Sequence, residues 1–361
     1  MHVAVATISR AALAHNLQRV REYVPNCPVM VMLKANAYGH GIVEVAKALA
    51  DADAFGVARL QEAVTLRKAG FKQRIVLLEG FFCDRELPLI CELSLEAVVH
   101  QQWQIDALSQ ATLSQPIRVW LKVDSGMHRL GIPPEAVTPA LQQLKLLPHV
   151  LADMNMMTHF ACADDLSSGM TATQIKSFNT QLKTFKSICP SGEVSLANSA
   201  AIVAHKQSHQ GWVRPGIMLY GASPMLNGSA EDHQLMPVMS LTSKVMAVRN
   251  LKANETVGYG ATWSSDKNTR IAVVAIGYGD GYPRHAANGT PVLINGQRCA
   301  LVGRVSMDMI TVDIGLVDVA VGDDVELWGS GLSANEVAAS AGTIAYELFC
   351  SVTQRVLLRY I

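Results

Sequence analysis

Apolar residues in the first two-thirds of the chain gather into short runs at residues 29–33, 54–58, 74–78, 96–99, 117–123, 152–159, 193–197 and 213–220. Runs of this length bounded by polar or glycine-containing segments predict buried strands. Between them the spacing becomes helical. Ile42-Val43-Glu44-Val45-Ala46-Lys47-Ala48-Leu49 is one such stretch, and residues 61–69, ending before Gly70, are another with a helix stop in place. Strand–helix alternation implies a parallel sheet, and eight units favour closure into a TIM-like (β/α)8 barrel over a doubly wound open sheet. At the N-terminus, residues 7–21 read as a strand leading through Ser9, a candidate cap, into a helix.

The periodicity stops at residues 221–232, where Gly, Ser, Pro and acidic residues concentrate, and this segment reads as a linker. Beyond it, runs at 241–248, 270–276, 290–294, 298–302 and 324–328 are separated by turn residues with almost no helical pattern. Asn295-Gly296 between two of these runs is a hairpin signal. The expected α/β organisation is therefore a barrel over residues 9–228, followed by a mainly β domain over 229–361 that the N-terminal strand 1–8 joins.

Composition narrows the ligand. The 361 residues, half of them hydrophobic, leave room for two domains at roughly 150 residues each. Thirty basic residues balance thirty acidic ones, so no net field favours nucleic acid or an anionic membrane, and a small molecule is the expected partner. The apolar runs stop well short of the roughly 18 residues that span a bilayer, and no basic segment precedes an apolar core at Met1-His2-Val3-Ala4. A cytoplasmic location is expected. The seven cysteines, Cys27, Cys83, Cys91, Cys162, Cys189, Cys299 and Cys350, include no Cys-x-x-Cys pair and read as reduced thiols rather than a disulfide or zinc framework.

Candidate chemistry begins at Lys34, which an apolar run delivers into the glycine-rich turn Ala35-Asn36-Ala37-Tyr38-Gly39-His40-Gly41. Burial there favours the neutral, nucleophilic amine, although a lysine snorkelling from a strand end fits the local pattern equally. Lys122, Arg129, His159, Asn198, Ser199 and Arg214 also fall at or just after strand ends, where a barrel gathers its active site. Singly each has a plainer reading: His159 as a satisfied histidine, Ser199 as a helix cap. Together they offer a reactive amine, several cations and hydroxyl or amide donors, without the paired carboxylates of a glycosidase or a Ser-His-Asp order. The set suits an anionic carbonyl cofactor. Gly277-Tyr278-Gly279-Asp280-Gly281-Tyr282 has the wrong glycine spacing for a dinucleotide site, and neither a phosphate-loop motif nor a His-Glu-x-x-His helix occurs, so no metal is expected.

The whole chain resembles the bacterial alanine racemase family, pyridoxal phosphate enzymes built from a barrel and a β domain. The resemblance rests on Lys34-Ala35-Asn36-Ala37-Tyr38-Gly39-His40-Gly41, Leu121-Lys122-Val123-Asp124-Ser125-Gly126-Met127-His128-Arg129-Leu130-Gly131, Met157-Thr158-His159-Phe160, Ala197-Asn198-Ser199-Ala200 and Arg214-Pro215-Gly216-Ile217. In the second domain it rests on Val257-Gly258-Tyr259-Gly260-Ala261, the 277–284 glycine segment with Pro283-Arg284, Val305-Ser306-Met307-Asp308-Met309 and Tyr346. Ser306 departs from relatives that carry cysteine there, which weakens inference about inhibitor contacts but not about the chemistry.

The resemblance implies that Lys34 carries pyridoxal 5′-phosphate as a Schiff base, and that L- and D-alanine interconvert by a two-base route through the substrate's external aldimine. It places Tyr38, Ser199, Gly216, Ile217 and Tyr346 around the phosphate, with His159 and Asn198 completing the cofactor site. Arg214 becomes the partner of the ring nitrogen; as a permanent donor it leaves that nitrogen unprotonated and makes the cofactor a weaker electron sink. Lys34 is implied as the base for D-alanine and Tyr259 for L-alanine, the phenol being linked to His159 and so to Arg214. A tyrosine near its usual pKa of roughly 10 needs such help, and by itself Tyr259 reads as a turn residue packed between glycines.

Tyr259, Met307 and Asp308 are implied to reach the barrel mouth of a second subunit, which makes the active site a property of a homodimer. Arg129 and the Met307 backbone are assigned the substrate carboxylate, Tyr278 and Tyr346 a narrow entrance favouring a methyl side chain, and Arg304, Ile344 and Asp308 the approach to it. Lys122 matches a lysine that becomes carbamylated and pairs with Arg129. D-Alanine made this way supplies peptidoglycan, or the reaction degrades it. Rival readings are a barrel decarboxylase of basic amino acids, against which Arg214 argues, a racemase of broader substrate range, and a cofactor carrier without turnover, against which the β domain argues.

Overall fold

The computed structural model describes residues 3–361; the first two positions of the strand expected over residues 1–8 lie outside them. The chain opens with β1 (Val5–Ile8), and Ser9 then caps helix α1 (Arg10–Tyr23) by accepting the Ala12 N–H at 3.1 Å. Eight strands follow: β2 (Met30–Met32), β3 (Ala54–Val57), β4 (Arg74–Leu77), β5 (Glu96–Val99), β6 (Arg118–Lys122), β7 (Asn155–Met157), β8 (Val194–Asn198) and β9 (Trp212–Arg214). They pair in chain order, all parallel. A parallel bridge between Val29 and Val213, together with the Met32 N–H donating to the Pro215 carbonyl at 3.0 Å, brings the last strand back to the first. This is the eight-stranded barrel that the alternation predicts, and helices Ile42–Ala48 and Leu60–Lys68 fill the two stretches with helical spacing.

The last run divides. The 213–220 stretch forms strand only to Arg214, because Pro215 has no N–H to continue the ladder and Gly216 turns away from strand geometry at φ −121°, ψ −97°. Ile217–Tyr220 then makes a short 3-10 turn that is apolar because it is buried, not because it is a strand.

The second domain is built on β10 (Met239–Leu251), a long strand with an irregularity between Val245 and Ala247 that pairs with three others along its length. With β11 (Thr256–Val257), β12 (Trp263–Ser264), β13 (Thr269–Val274), β14 (Pro291–Ile294), β15 (Gln297–Leu301), β16 (Ile310–Asp313), β17 (Asp324–Trp328) and β18 (Leu357–Tyr360), the domain is mainly antiparallel. β1 lies between β10 and β18, so the chain start is part of this sheet. Asn295 at φ 50° and Gly296 at φ 75° form the two-residue turn of the β14–β15 hairpin, both in the left-handed region that such a turn requires. Two helices that the sequence pattern hardly shows, Ala334–Ser340 and Ala345–Ser351, follow β17. Their alanine-rich stretch and the Ser333 cap favour helix locally. The second packs on the barrel: a Cβ on Gly39 would lie 2.1 Å from the Phe349 carbonyl oxygen, so only glycine permits the contact. One apolar core runs through barrel and sheet.

The amino-terminal ends of the barrel strands are closed by charge. Arg74 bridges Glu96 at 2.5 Å and Glu193 at 2.8 Å, and the buried Glu96 also accepts the Trp120 indole N–H at 2.7 Å. Replacing Glu96 by Ala strands the indole N–H and one face of the guanidinium. Because Arg74 is only partly buried, the loss in unfolding free energy is expected near the low end for broken buried pairs, about 2–4 kcal/mol, by urea titration. A loss under about 0.5 kcal/mol would show that this network is not structural.

Candidate active site

At the opposite, carboxyl-terminal ends of the strands, β2 hands the chain to the turn that carries Lys34. Ala35, Asn36, Ala37 and Tyr38 all have φ between 52° and 55°, four successive residues in a region where an L-residue costs roughly 1–2 kcal/mol. The turn is closed by the Ala37 N–H donating to the Leu33 carbonyl at 2.8 Å, and by the Ile42 N–H donating to Asn36 Oδ1 at 2.9 Å. Tyr38 stacks on Tyr220, ring centroids 4.7 Å apart, and meets Tyr346 at 5.7 Å. The Tyr220 hydroxyl donates to the Met32 carbonyl at 2.8 Å, which fixes the aromatic pair to β2.

Lys34 and Tyr38 face a cleft of about 390 Å³ that also takes in Lys122, Arg129, His159, Asn198, Ser199, Arg214, Gly216 and Tyr346. Ten residues singled out in the sequence thus come from six segments to one place. Ile217 is fully buried and does not line the cleft. Met32, Leu78, Glu79, Leu130, Met157 and Thr158 line it as well and were not singled out; Leu78 and Glu79 directly follow β4, so the strand-end rule could have found them. A larger groove, about 630 Å³, lies over Phe82 and Trp103, but its charged residues are exposed and no cations converge there.

Arg214 is the most constrained group. Its Nη1 donates to Ser195 Oγ at 2.5 Å, and its Nη2 approaches the Thr158 carbonyl at 2.6 Å, the Leu196 carbonyl at 3.1 Å and His159 Nδ1 at 3.2 Å. Burial lowers this guanidinium to about 10, still protonated at neutral pH. Burial, then Arg214, hold the His159 imidazole well below its usual range, so its Nδ1 is an acceptor. Lys122 is lowered to about 8 by burial and by Arg214, Arg129 and Lys34, and Lys34 is lowered by burial and Arg129. Against four cations the lining offers one carboxylate, Glu79, which already meets Arg59 at 2.7 Å.

On the facing rim, the Gly216 N–H donates to Ser199 Oγ at 2.7 Å, and a Cβ on Gly216 would lie 2.5 Å from the Tyr38 hydroxyl. Backbone N–H and two hydroxyls therefore crowd one small space. The capping role open to Ser199 is taken by Asn198, whose Oδ1 accepts the Ala201 N–H at 3.0 Å.

Apart from Tyr346, the β-domain residues do not line the cleft. Tyr259 sits in the 3-10 turn at the tip of the β11–β12 hairpin, 68 % exposed. Tyr278 and Met307 are exposed on neighbouring loops tied by the Tyr278 N–H donating to the Ser306 carbonyl at 3.0 Å, and Asp308 is held by Arg355 at 2.7 Å. Arg304 lies beside Gly260, and Ile344 is exposed ahead of the helix that carries Tyr346.

Comparison with known proteins gives the family. Residues 8–224 match the alanine racemase N-terminal domain and residues 238–360 its C-terminal domain. The chain belongs to the alanine racemase family. An alanine racemase of Pectobacterium atrosepticum is 51 % identical over 364 residues, covering 100 % of this chain and 99 % of its own, and one of Aeromonas hydrophila is 48 % identical with 100 % of both chains covered. The solved biosynthetic alanine racemase of Pseudomonas aeruginosa superposes with a TM-score of 0.96 at 45 % identity, and that of Acinetobacter baumannii with 0.91 at 40 %, each over 100 % of both chains. Within the family fold, the Arg214–His159 contact and the left-handed turn are features of this chain's own geometry.

Two histidines make this environment measurable. His40, fully buried behind the turn with Nδ1 on the Tyr38 carbonyl at 2.8 Å, is lowered to about 4 by burial, and His159 is lowered by burial and its cationic neighbours. Both bind their protons more weakly folded than unfolded, so the unfolded chain takes up more protons below the ordinary midpoint of about 6.5 and stability falls as pH drops from about 7 to about 5. Imidazole NMR should find both rings neutral at about pH 6. Titration of His40 near about 6.5 would contradict its burial, and titration of His159 there would contradict both burial and the cationic field.

Proposed function

We propose that this protein interconverts L- and D-alanine, using pyridoxal 5′-phosphate held on Lys34, in an active site shared between two copies of the chain. One observation carries the proposal: a half-buried amine with depressed proton affinity stands among Lys122, Arg129 and Arg214 in a cleft almost without counter-charge. The donor set fits the group. Ser199, Tyr38 and the Gly216–Ile217 backbone, with Tyr346 beside Tyr38, would hold its phosphate in the space that a side chain on Gly216 would fill. Arg214 would donate to its ring nitrogen, with His159 and Asn198 alongside. When bound, the group supplies an electron-withdrawing ring that stabilises charge developing at the substrate α-carbon.

The chain's own residues set the course of the reaction. Arg214 donates and cannot accept, and its four contacts leave it no freedom to turn away. It therefore keeps the electron sink weak, which favours quick return of a proton to the α-carbon over side reactions and disfavours the decarboxylase reading. Arg129, with the Met307 backbone of a second copy, would hold the substrate carboxylate. Lys34 Nζ, its proton affinity lowered by burial and Arg129, would take the proton from D-alanine on one face. The Tyr259 hydroxyl of the second copy would act on L-alanine from the other, within reach of His159 and through it of Arg214.

Exposure supports the sharing. Tyr259, Tyr278, Met307 and Ile344 are large apolar or aromatic side chains left exposed on the β domain, and a second copy would cover them. Tyr278, Tyr346, Arg304, Asp308 and Ile344 would then narrow the way in to a methyl-sized side chain. Lys122, at about 8, has the neutral fraction needed to attack carbon dioxide; the new N–C bond with proton loss would turn a cation into an anion facing Arg129. No helix among the described residues is long and apolar enough to cross a membrane. The free cysteines fit a reducing compartment, where the enzyme would supply D-alanine to peptidoglycan or degrade it.

In deuterated water, both alanine enantiomers should exchange their α-proton and lose optical activity. Tyr259→Phe should reduce exchange from L-alanine by about 10²–10⁴-fold while sparing much of that from D-alanine. Equal losses on both, or carbon dioxide release, would refute the assignment. Gly216→Ala should raise the Kd for pyridoxal phosphate at least about tenfold, roughly 1.4 kcal/mol, in an absorbance titration; unchanged affinity would place the phosphate elsewhere.

A further inference from the structure

The strained turn behind Lys34 is tied down by a carboxylate that does not line the cleft. Glu62 Oε1 accepts the Ala35 N–H at 2.6 Å and the Asn36 N–H at 3.4 Å; Oε2 accepts the Ala58 N–H at 2.9 Å and the Arg59 N–H at 3.0 Å. Glu62 is the third residue of helix Leu60–Lys68, so the Ala58 and Arg59 contacts are an ordinary helix cap. The other two have no part in capping. They reach back 27 and 26 residues to the first two left-handed positions after Lys34.

We infer that Glu62 is a positioning residue for the Lys34 amine, its carboxylate clamping the left-handed turn to the junction of β3 and its helix so that Nζ keeps its place in the cleft. The inference rests on Lys34 as the cofactor lysine. Released from Glu62, Ala35 and Asn36 have two N–H groups facing solvent and a conformation that neither residue prefers, so the turn can relax and carry Lys34 with it. Glu62 has a second effect through charge. Burial and Arg129 lower the Lys34 amine, while Glu79, Cys350 and Glu62 oppose them; Lys122 and Arg214 are the other charged groups lining the cleft. Removing the Glu62 charge therefore lowers the proton affinity at Lys34 further.

Glu62→Gln separates clamp from cap. Glutamine caps a helix at this position as well as glutamate does, but it offers one acceptor oxygen, and its NH2 cannot accept from Ala35 and Asn36. In the full-length protein saturated with pyridoxal phosphate, three results are expected. Amide exchange at residues 35 and 36 rises at least about tenfold while residues 58 and 59 stay protected. The pH midpoint of the visible lysine-linked absorbance moves down. Finally, kcat for alanine falls by roughly 10–10²-fold with KM little changed, the signature of a displaced reacting group. Glu62→Asp, which keeps the charge one methylene short, should restore the pH midpoint but not the protection of residues 35 and 36, and it serves if the glutamine variant does not fold. A lower melting temperature with unchanged exchange, midpoint and kcat would overturn the inference and reduce Glu62 to a helix cap. Absence of the lysine-linked absorbance in the unaltered protein would instead overturn the cofactor reading, with amide exchange still deciding the clamp.

Discussion

Lys34, Lys122, Arg129 and Arg214 crowd a cleft whose one lining carboxylate, Glu79, is already engaged by Arg59. Partly buried like charges repel and lose hydration, so a fold holds them together only if its backbone contacts outweigh that penalty. Here the barrel does so by geometry. Parallel strands point their carboxyl ends at one mouth, and each cation rides at the end of, or just beyond, a strand whose pairing is fixed by its neighbours. Arg214 is held by two carbonyl oxygens and a serine hydroxyl as well. The stored positive potential is what makes an anion the natural occupant, and it also lowers the proton affinity of the amines that the chemistry needs neutral.

The same logic separates the two ends of the barrel. At the amino-terminal end charges are paired, with Arg74, Glu96 and Glu193 satisfying one another and Trp120. At the carboxyl-terminal end they are left uncompensated, and the backbone adds strain of its own in the turn after Lys34. Unpaired charge and left-handed residues in one place are both destabilising, and their coincidence marks where function has been favoured over stability.

Much of this was legible in the sequence, for identifiable reasons. Barrel strands are buried on both faces and therefore read as unbroken apolar runs, and the helices between them keep their own period, so seven of the runs needed no tertiary knowledge. The eighth misled because Ile217–Tyr220 is apolar for burial in a 3-10 turn. The polar residues at strand ends were visible one by one, while their roles came only from resemblance to the alanine racemases. What the sequence hides is contact between distant segments: Glu62 on the Lys34 turn, Ser195 on Arg214, and Tyr220 stacked on Tyr38. None has a spacing signature. The helix bearing Tyr346 was missed because it is only seven residues long, so its buried face, Ala345, Leu348 and Phe349, shows a single turn of helical spacing.

Everything depends on Lys34 being the nucleophile of this cationic cleft. Treating the full-length protein with one equivalent of pyridoxal phosphate, reducing with borohydride and mapping the modified peptide by mass spectrometry tests that directly. The label should fall on Lys34, fade when inorganic phosphate competes, and be absent from exposed lysines such as Lys68 and Lys72. A label spread over surface lysines, or carried by Lys122 with Lys34 untouched, would contradict it.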